Sequence, residues 1–492
     1  MKIKLIITAL SIIILSTTGY SQKLIYSTFL GSSGKDSDMN WLKQFSIDTS
    51  GTVYFATSTY HTDFPMTRDA YDKTYNGGDT TWGEEDLAIV QFNIAQNKLK
   101  YSSYFGGKKG PDFVAQVFLN KNSYYLVGNT GSSDFPITDN ALDKTFNGPE
   151  FRHSDGYISR FDGNKLAYST YIGTSGTDWI QNIFVNDNGE MIVVGLFKNW
   201  QEFNVTNQYW NEKPEDVVYA CVIRLNAKGD SILSTTVLGP SWDLNSCKDK
   251  DGNIYIAGTT TSKNFPVTPG AYNTNYNGGK SLGGGDIFVT KLNPTAEKII
   301  YSTFLGGSND ESTPTLCVDA INCVYIYGKT NSQDYPITPG AAAKTFDEKS
   351  KLLFLSKLSN DGKVLVNSSF IGGNAIKFYD GGNIVAAKNG DIYLCGTTDA
   401  DDYPVTTNAI QSKINGGKDI FITVFNNSLT RQKFSTYLGG SKNEFTKIAV
   451  DEIGDIIGVG GTLSSDFVTT PEAYSTALQG VTDAVIFKIT IK

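Results

Sequence analysis

Histidine is almost missing from this chain: there are two, His61 and His153, in 492 residues. A Ser-His-Asp or Cys-His relay has few places to form, and no GxSxG, HExxH or P-loop phrase occurs. A two-histidine metal site is a remote alternative, with both residues expected on one face of adjacent repeats. Cysteine is scarce too. Cys221, Cys247, Cys317, Cys323 and Cys395 include no CxxC pair, which argues against a zinc or thioredoxin-like centre. Their odd number leaves at least one unpaired; buried free thiols are the expected state, with a Cys317–Cys323 bridge as the alternative. Basic residues are outnumbered, 42 Lys and Arg against 50 acids, and a net charge of −8 argues against a nucleic-acid partner. Charged residues make up only 19%. After Ser16 no apolar run is long enough for a transmembrane helix, so no later segment is expected to span a membrane.

What is present is glycine, 49 residues, and tyrosine plus phenylalanine, 27 and 28. With 40% hydrophobic residues, that mixture excludes disorder and coiled coil and favours short strands joined by turns. Met1–Gln22 reads MKIKLIITALSIIILSTTGYSQ. Lys2 and Lys4 precede a short apolar stretch, and Gly19 and Ser21 are small, so residues 1–21 are expected to be a signal peptide cut before Gln22. No cysteine follows the stretch to carry a lipid. The expected compartment is secreted or at the cell envelope or surface.

One phrase recurs: YSTFLG at Tyr26, YSSYFG at Tyr101, YSTYIG at Tyr168, STTVLG at Ser234, YSTFLG at Tyr301, NSSFIG at Asn367 and FSTYLG at Phe434. After a longer first step the copies return every ~67 residues, the mark of a repeat architecture. Three further elements follow in each copy: an apolar stretch turning at phrases such as DKDGNIYIAG, a long loop with DFPMT, DFPIT, NFPVT, DYPIT or DYPVT, and a strand such as DLAIVQF or DIFVTKL. In the loop, TPGAY (Thr268–Tyr272) suggests a capped helical turn. Four strands per repeat and seven repeats describe an all-β, seven-bladed β-propeller of four-stranded antiparallel blades, residues 22–492 forming one domain. The chain starts with a lone copy of the first strand, Leu24–Gly31, and ends with a copy of the last, Asp483–Lys492. If the YSTFLG strand is outermost, the N-terminal copy must complete the last blade and close the ring, which removes two open sheet edges.

The YST(F/Y)(L/I)GG phrase, the VDxxGNxY hairpin and the DFPxTxxAY loop together resemble the SBBP-type β-propeller repeat family over residues 23–492. The resemblance implies an extracellular or cell-envelope protein and no single activity. Two repeats depart from it: Leu196–Glu215 lacks the DFP phrase, and GGNAIKFYDGG replaces GGSxxD near Gly372.

The long loops, outer-to-inner and second-to-third strand, are expected to share one face and to carry function. Seven residues before the end of each inner strand stand Trp41, Phe113, Trp179, Trp242, Ser312, Asp380 and Glu444. Flat aromatics beside carboxylates suit a sugar or peptide, by stacking and hydrogen bonding. The same side chains would equally serve as wedges between blades. Acids recur near the same turns, at Asp36, Asp38, Asp112, Asp178, Asp243, Asp310 and Glu444, and a ring of oxygens could hold calcium; capping of tight turns is the competing explanation. The expected function is non-catalytic binding or scaffolding, with an extracellular glycan, a protein or another envelope component as partner. The alternatives are a carbohydrate-active enzyme, lyase or glycosidase, with an acidic pair at the channel mouth, and a purely structural envelope protein.

Overall fold

The computed structural model describes residues 22–36, 44–77, 85–149, 155–212, 217–280, 283–341, 352–372, 379–380 and 382–491. Residues 1–21, expected to be a signal peptide, and Asp38, Trp41 and His153 lie outside them. The strands form seven sheets, each built on four antiparallel strands that follow one another in the chain except in the last blade, and two of the sheets carry an additional short strand. In blade two these are Asp112–Asn120, Ser123–Thr130, Asp155–Asp162 and Lys165–Tyr171, counted from the axis outward. The first strands of successive blades touch one another, so they line the axis, and the YST strand is outermost.

Closure is as the repeat phase requires. Gln22–Leu30 pairs antiparallel with Asp483–Ile491, from Gln22 opposite Ile491 to Leu30 opposite Ala484. It becomes the outer strand of blade seven, whose other strands run inward from Asp483–Ile491 through Ile456–Thr462 to Glu444–Val450.

Each blade is buried on both faces, which explains why its middle strands are apolar without alternation. In DIFVTKL of blade four, Phe288 and Leu292 join the cluster shared with blade three, while Ile287 and Val289 join the one shared with blade five. Burying a side chain such as Phe288 contributes roughly 2 kcal/mol, and it is 0% exposed. The apolar clusters pass from blade to blade around the whole ring, including the seam, where Ile457, Val459 and Ile486 pack with Val53 and Phe55.

The long second-to-third loops do not gather over the channel. Each starts on the predicted face and then runs back along its own outer strand. The Thr of the DFPxT phrase holds it there with backbone and side chain together: Thr138 donates to Ser169 O through its N–H and its hydroxyl, and accepts from Ser169 N–H. The same bonds recur at Thr67, Thr268, Thr338, Thr406 and Thr470. The loops therefore cover the sheet edges that would otherwise be open. TPGAY is a turn, not a capped helix, because the hydroxyl of Thr268 is taken by Ser302. The outer-to-inner connections are short, such as 106–111 and 439–443.

Blade three lacks DFP but fills each of its places. Trp200, in a 3-10 turn at Trp200–Glu202, is buried against Tyr219 where the other blades carry Phe or Tyr. Glu202 accepts from Ser175 N–H and hydroxyl, as Asp134 accepts from Lys108 and Lys109 in blade two. Thr206 holds the outer strand at Thr235. All five cysteines are free.

Candidate functional site

The inner strands begin on the face that carries the outer-to-inner turns, so their first residues ring the channel mouth. Cross-strand register orders these residues. The first position pairs with the last residue of the second strand: Asp36 with Thr59, Asp112 with Thr130, Asp178 with Phe197, Glu311 with Thr330 and Glu444 with Thr462. The next position holds Phe113, Trp179, Trp242, Ser312, Asp380 and Phe445. Glu444 thus belongs one step earlier than the sequence spacing placed it. The inner strands of blades two to five carry one extra residue in a β-bulge, whereas that of blade seven is regular, so a count back from the strand end lands one residue early there.

The aromatic column divides. Phe113 is buried, and its backbone carbonyl accepts the hydroxyl of Tyr157 at 3.0 Å, so it belongs to the wall. Trp179 and Trp242 are half-buried and face each other across the junction of blades three and four, ring centroids 6.4 Å apart and tilted by 47°. Ser312 is half-buried on the next blade. Trp41 lies outside the described residues, and the side chain of Asp380 is likewise not described.

The bulges beside the indole pair hold unusual backbone. Asp243 has φ +48° and Thr313 φ +49°, a left-handed conformation that a β-branched residue strongly resists. They are joined: the N–H of Thr313 donates to the Asp243 carboxylate at 3.3 Å. Indoles, a half-buried carboxylate and the hydroxyls of Ser312 and Thr313 thus share one sector of the mouth, spanning blades three to five.

The recurrent acids do something else. Each of the five at the first inner position is buried and accepts only from neutral donors. Asp112 takes Gly107 N–H at 2.8 Å and the Thr130 hydroxyl at 2.5 Å; Glu444 takes Gly440 N–H and the hydroxyls of Thr462 and Ser464. Each also has an acidic partner the sequence reading passed over, the first residue of the preceding blade's third strand. The pairs are Asp483 with Asp36, Asp86 with Asp112, Asp155 with Asp178, Asp286 with Glu311 and Asp419 with Glu444. The glycine ending the YST strand lies between them. A Cβ on Gly31, Gly106, Gly173, Gly306 or Gly439 would collide with both carboxyls of its pair. The signal was present as the initial Asp of DLAIVQF, DIFVTKL and DIFITVF.

Of the calcium candidates, Asp112 and Asp178 are therefore interior staples, whereas Asp243 sits in a bulge and Asp310 accepts backbone N–H groups of Lys280 and Gly285. Among the described residues no three His, Cys, Asp or Glu side chains come together as a metal site. His61 is exposed; Ser33 at 3.4 Å and Asp63 at 3.1 Å both meet its Nδ1, so they compete for one nitrogen and form no relay.

Residues 249–266 match the SBBP β-propeller repeat. No curated protein matches the chain. Among solved structures it is similar to a protein of unknown function from Dyadobacter fermentans, with 10% identity, 96% of this chain and 100% of that one covered, and TM-score 0.44. It is also similar to a PL25 ulvan lyase, with 10% identity, 89% and 93% covered, and TM-score 0.46. A third is BamB from Moraxella catarrhalis, with 8% identity, 96% and 98% covered, and TM-score 0.39.

Proposed function

We propose that the protein is an extracytoplasmic, non-catalytic binding module that takes a glycan at the channel mouth, in the sector formed by Trp179, Trp242, Asp243, Ser312 and Thr313. The observation that carries this reading is the half-buried indole pair. Of the four large side chains described at this level only Phe113 is sealed; the two indoles and Phe445 keep surface, and the indoles do so as a pair beside a carboxylate and strained backbone. A sugar ring offers an apolar face for an indole and hydroxyls for Asp243, Ser312 and Thr313. The ten paired carboxyls support a binding role over cleavage, because all are buried and none is placed to reach a substrate. The SBBP match and the apolar leader at residues 5–16 support an extracytoplasmic setting, and no helix among the described residues is long and apolar enough to cross a membrane.

A glycan array followed by titration of tryptophan fluorescence tests it. Trp179→Ala and Trp242→Ala are each expected to weaken binding at least ten-fold with an unchanged circular dichroism spectrum. Collapse of the fold in both variants would assign the indoles to interblade packing. Release of shortened sugars from the bound glycan would make the module an enzyme.

A further inference from the structure

Five of the seven blade junctions carry a buried pair of carboxyls around a glycine, and two do not. At the junction of blades three and four the corresponding positions are Tyr219 and Ser241; at that of blades five and six they are Leu352 and Tyr379. We propose that these pairs make the ring a proton-latched assembly: at least one carboxyl of each pair stays protonated in the closed ring, and loss of that proton loosens the five paired junctions while leaving the other two unchanged.

The geometry forces the choice. Nine of the ten carboxyls are at 0% exposure and Glu444 at 1%, so water screens none of them. Two ionised carboxyls pressed against one glycine in a dry interior repel strongly unless a cation intervenes. None of the ten makes an ion pair among the described residues; the lysine and arginine pairs lie elsewhere, as in Lys291–Asp249, Lys357–Asp319 and Lys488–Asp451. The donors they have are backbone N–H groups, hydroxyls and, at Asp419, the amide of Gln411, all neutral. The titratable groups that face them from neighbouring elements are mostly further acids: Asp63, Asp72, Asp134, Asp143, Asp334 and Asp466 in the adjoining loops. From the sheets they are phenols, such as Tyr104, Tyr157 and Tyr171, and the Cys221 thiol near Asp178. The acids raise the cost of a second negative charge, and the phenols and the thiol, neutral at these pH values, bring no positive charge to offset it.

Burial moves the affected groups accordingly. Asp86 and Asp155 are pushed up to about 7, Asp178 and Glu311 to about 8, Glu444 to about 7, and Asp286 and Asp483 to about 6. Asp36, Asp112 and Asp419 rise as well, for the same reason. The exposed acids one turn away behave oppositely. Asp334 and Asp466 are held below the usual carboxylate range by N–H and hydroxyl donors from Ser308 and Ser441. The sign follows. An acid raised in the fold keeps a proton that the unfolded chain releases, so the stability it contributes is complete below the unfolded value and is lost progressively as pH rises from the ordinary carboxylate range up to the folded value, which lies at about 6 to 8 for these groups. Each such proton changes the folding constant by about ten-fold per pH unit within that window.

The test is thermal unfolding of the wild type from pH 5 to 9, with hydrogen exchange corrected for intrinsic rates. Tm is expected to fall as pH rises above 6, and protection to drop at the five paired junctions before the other two. Asp86→Asn and Asp155→Asn remove one charge from their pairs at nearly constant size. Each is expected to flatten the pH dependence and to raise Tm at pH 8.5 relative to wild type. A Tm that is flat or rising between pH 6 and 8.5 would overturn the proposal. So would equal loss of protection at paired and unpaired junctions, which the wild type reports even if both variants fail to fold.

Discussion

Asn182 is the residue whose environment is least satisfied. It lies on the inner strand of blade three and faces blade four, since its cross-strand partner Val194 belongs to the cluster the two blades share. It is 0% exposed, and neither amide atom has a partner among the described residues. The corresponding residues elsewhere tie one blade to the next: Gln116 accepts from Ile183 N–H at 2.6 Å, and Asn383 from Ile448 N–H at 2.8 Å. At the junction of blades three and four the matching N–H, that of Ser246, is taken by its own neighbour Asn245 at 2.8 Å. A buried amide without partners destabilises by about 1–3 kcal/mol. Asn182→Leu should therefore raise stability, by about 1 kcal/mol after allowance for the change of shape, as measured by urea denaturation. A clear loss of stability instead would mean the amide has a use in the fold. This unpaired amide lies on the same inner strand as Trp179, at the junction the indole pair spans. None of it is visible in the letters of the chain, because Asn182 and Gln116 look alike in sequence and differ only in what the next blade offers.

Among elements, the loop that covers the outer strand depends on a few repeated contacts. In blade two the hydroxyl of Tyr171 donates to Ser132 O at 2.8 Å and accepts from Phe135 N–H at 3.2 Å, fastening the DFP phrase to the outer strand. Blade four has Phe304 at that place and manages with ring packing against Phe265 and Tyr276. Tyr171→Phe is thus expected to keep the fold and to cost about 1 kcal/mol, because the N–H of Phe135 retains Ser132 O as a second acceptor. A loss above about 3 kcal/mol in calorimetry, more than one such bond contributes, would show that the clamp does more than fasten a loop. Strands and turns were legible at this scale because each obeys a local rule: a short apolar run between turns, a Gly or Asn at a tight turn, an Asp heading a strand. Bulges were not. One inserted residue shifts every later side chain relative to its neighbours, and that shift put Glu444 rather than Phe445 in the aromatic column. The direction of the long loops was hidden as well, since their length suggested a working face while their Thr residues commit them to the rim.

For the whole molecule, the ring was legible because closure follows from the phase of the repeat. The clasp now has atomic content. Phe29 and Leu30 of the first strand are at 0% and 1% exposure, and the hydroxyl of Tyr26 reaches Asn97 of blade one at 2.6 Å. The Asp483–Asp36 pair closes around Gly31 at the end of the same strand. Without Gln22–Leu30, blade seven would present Asp483–Ile491 as a bare, apolar edge and blade one would lose packing against Tyr26. A chain lacking residues 22–30 is expected to associate through that edge, eluting as dimers or larger species in size exclusion, with a Tm lower by roughly 10 °C or more. Adding the peptide QKLIYSTFL in trans should restore the monomer, whereas the same peptide with Thr28 and Leu30 both changed to Pro should not: the N–H groups of Ser27 and Phe29 face Thr470 and Ser475, so those of the alternate residues face the ladder, to which proline cannot donate. A truncated chain that stays monomeric with unchanged Tm would mean the ring does not need its clasp, and the closure argued from the repeat would then describe where the strand lies without describing what it does.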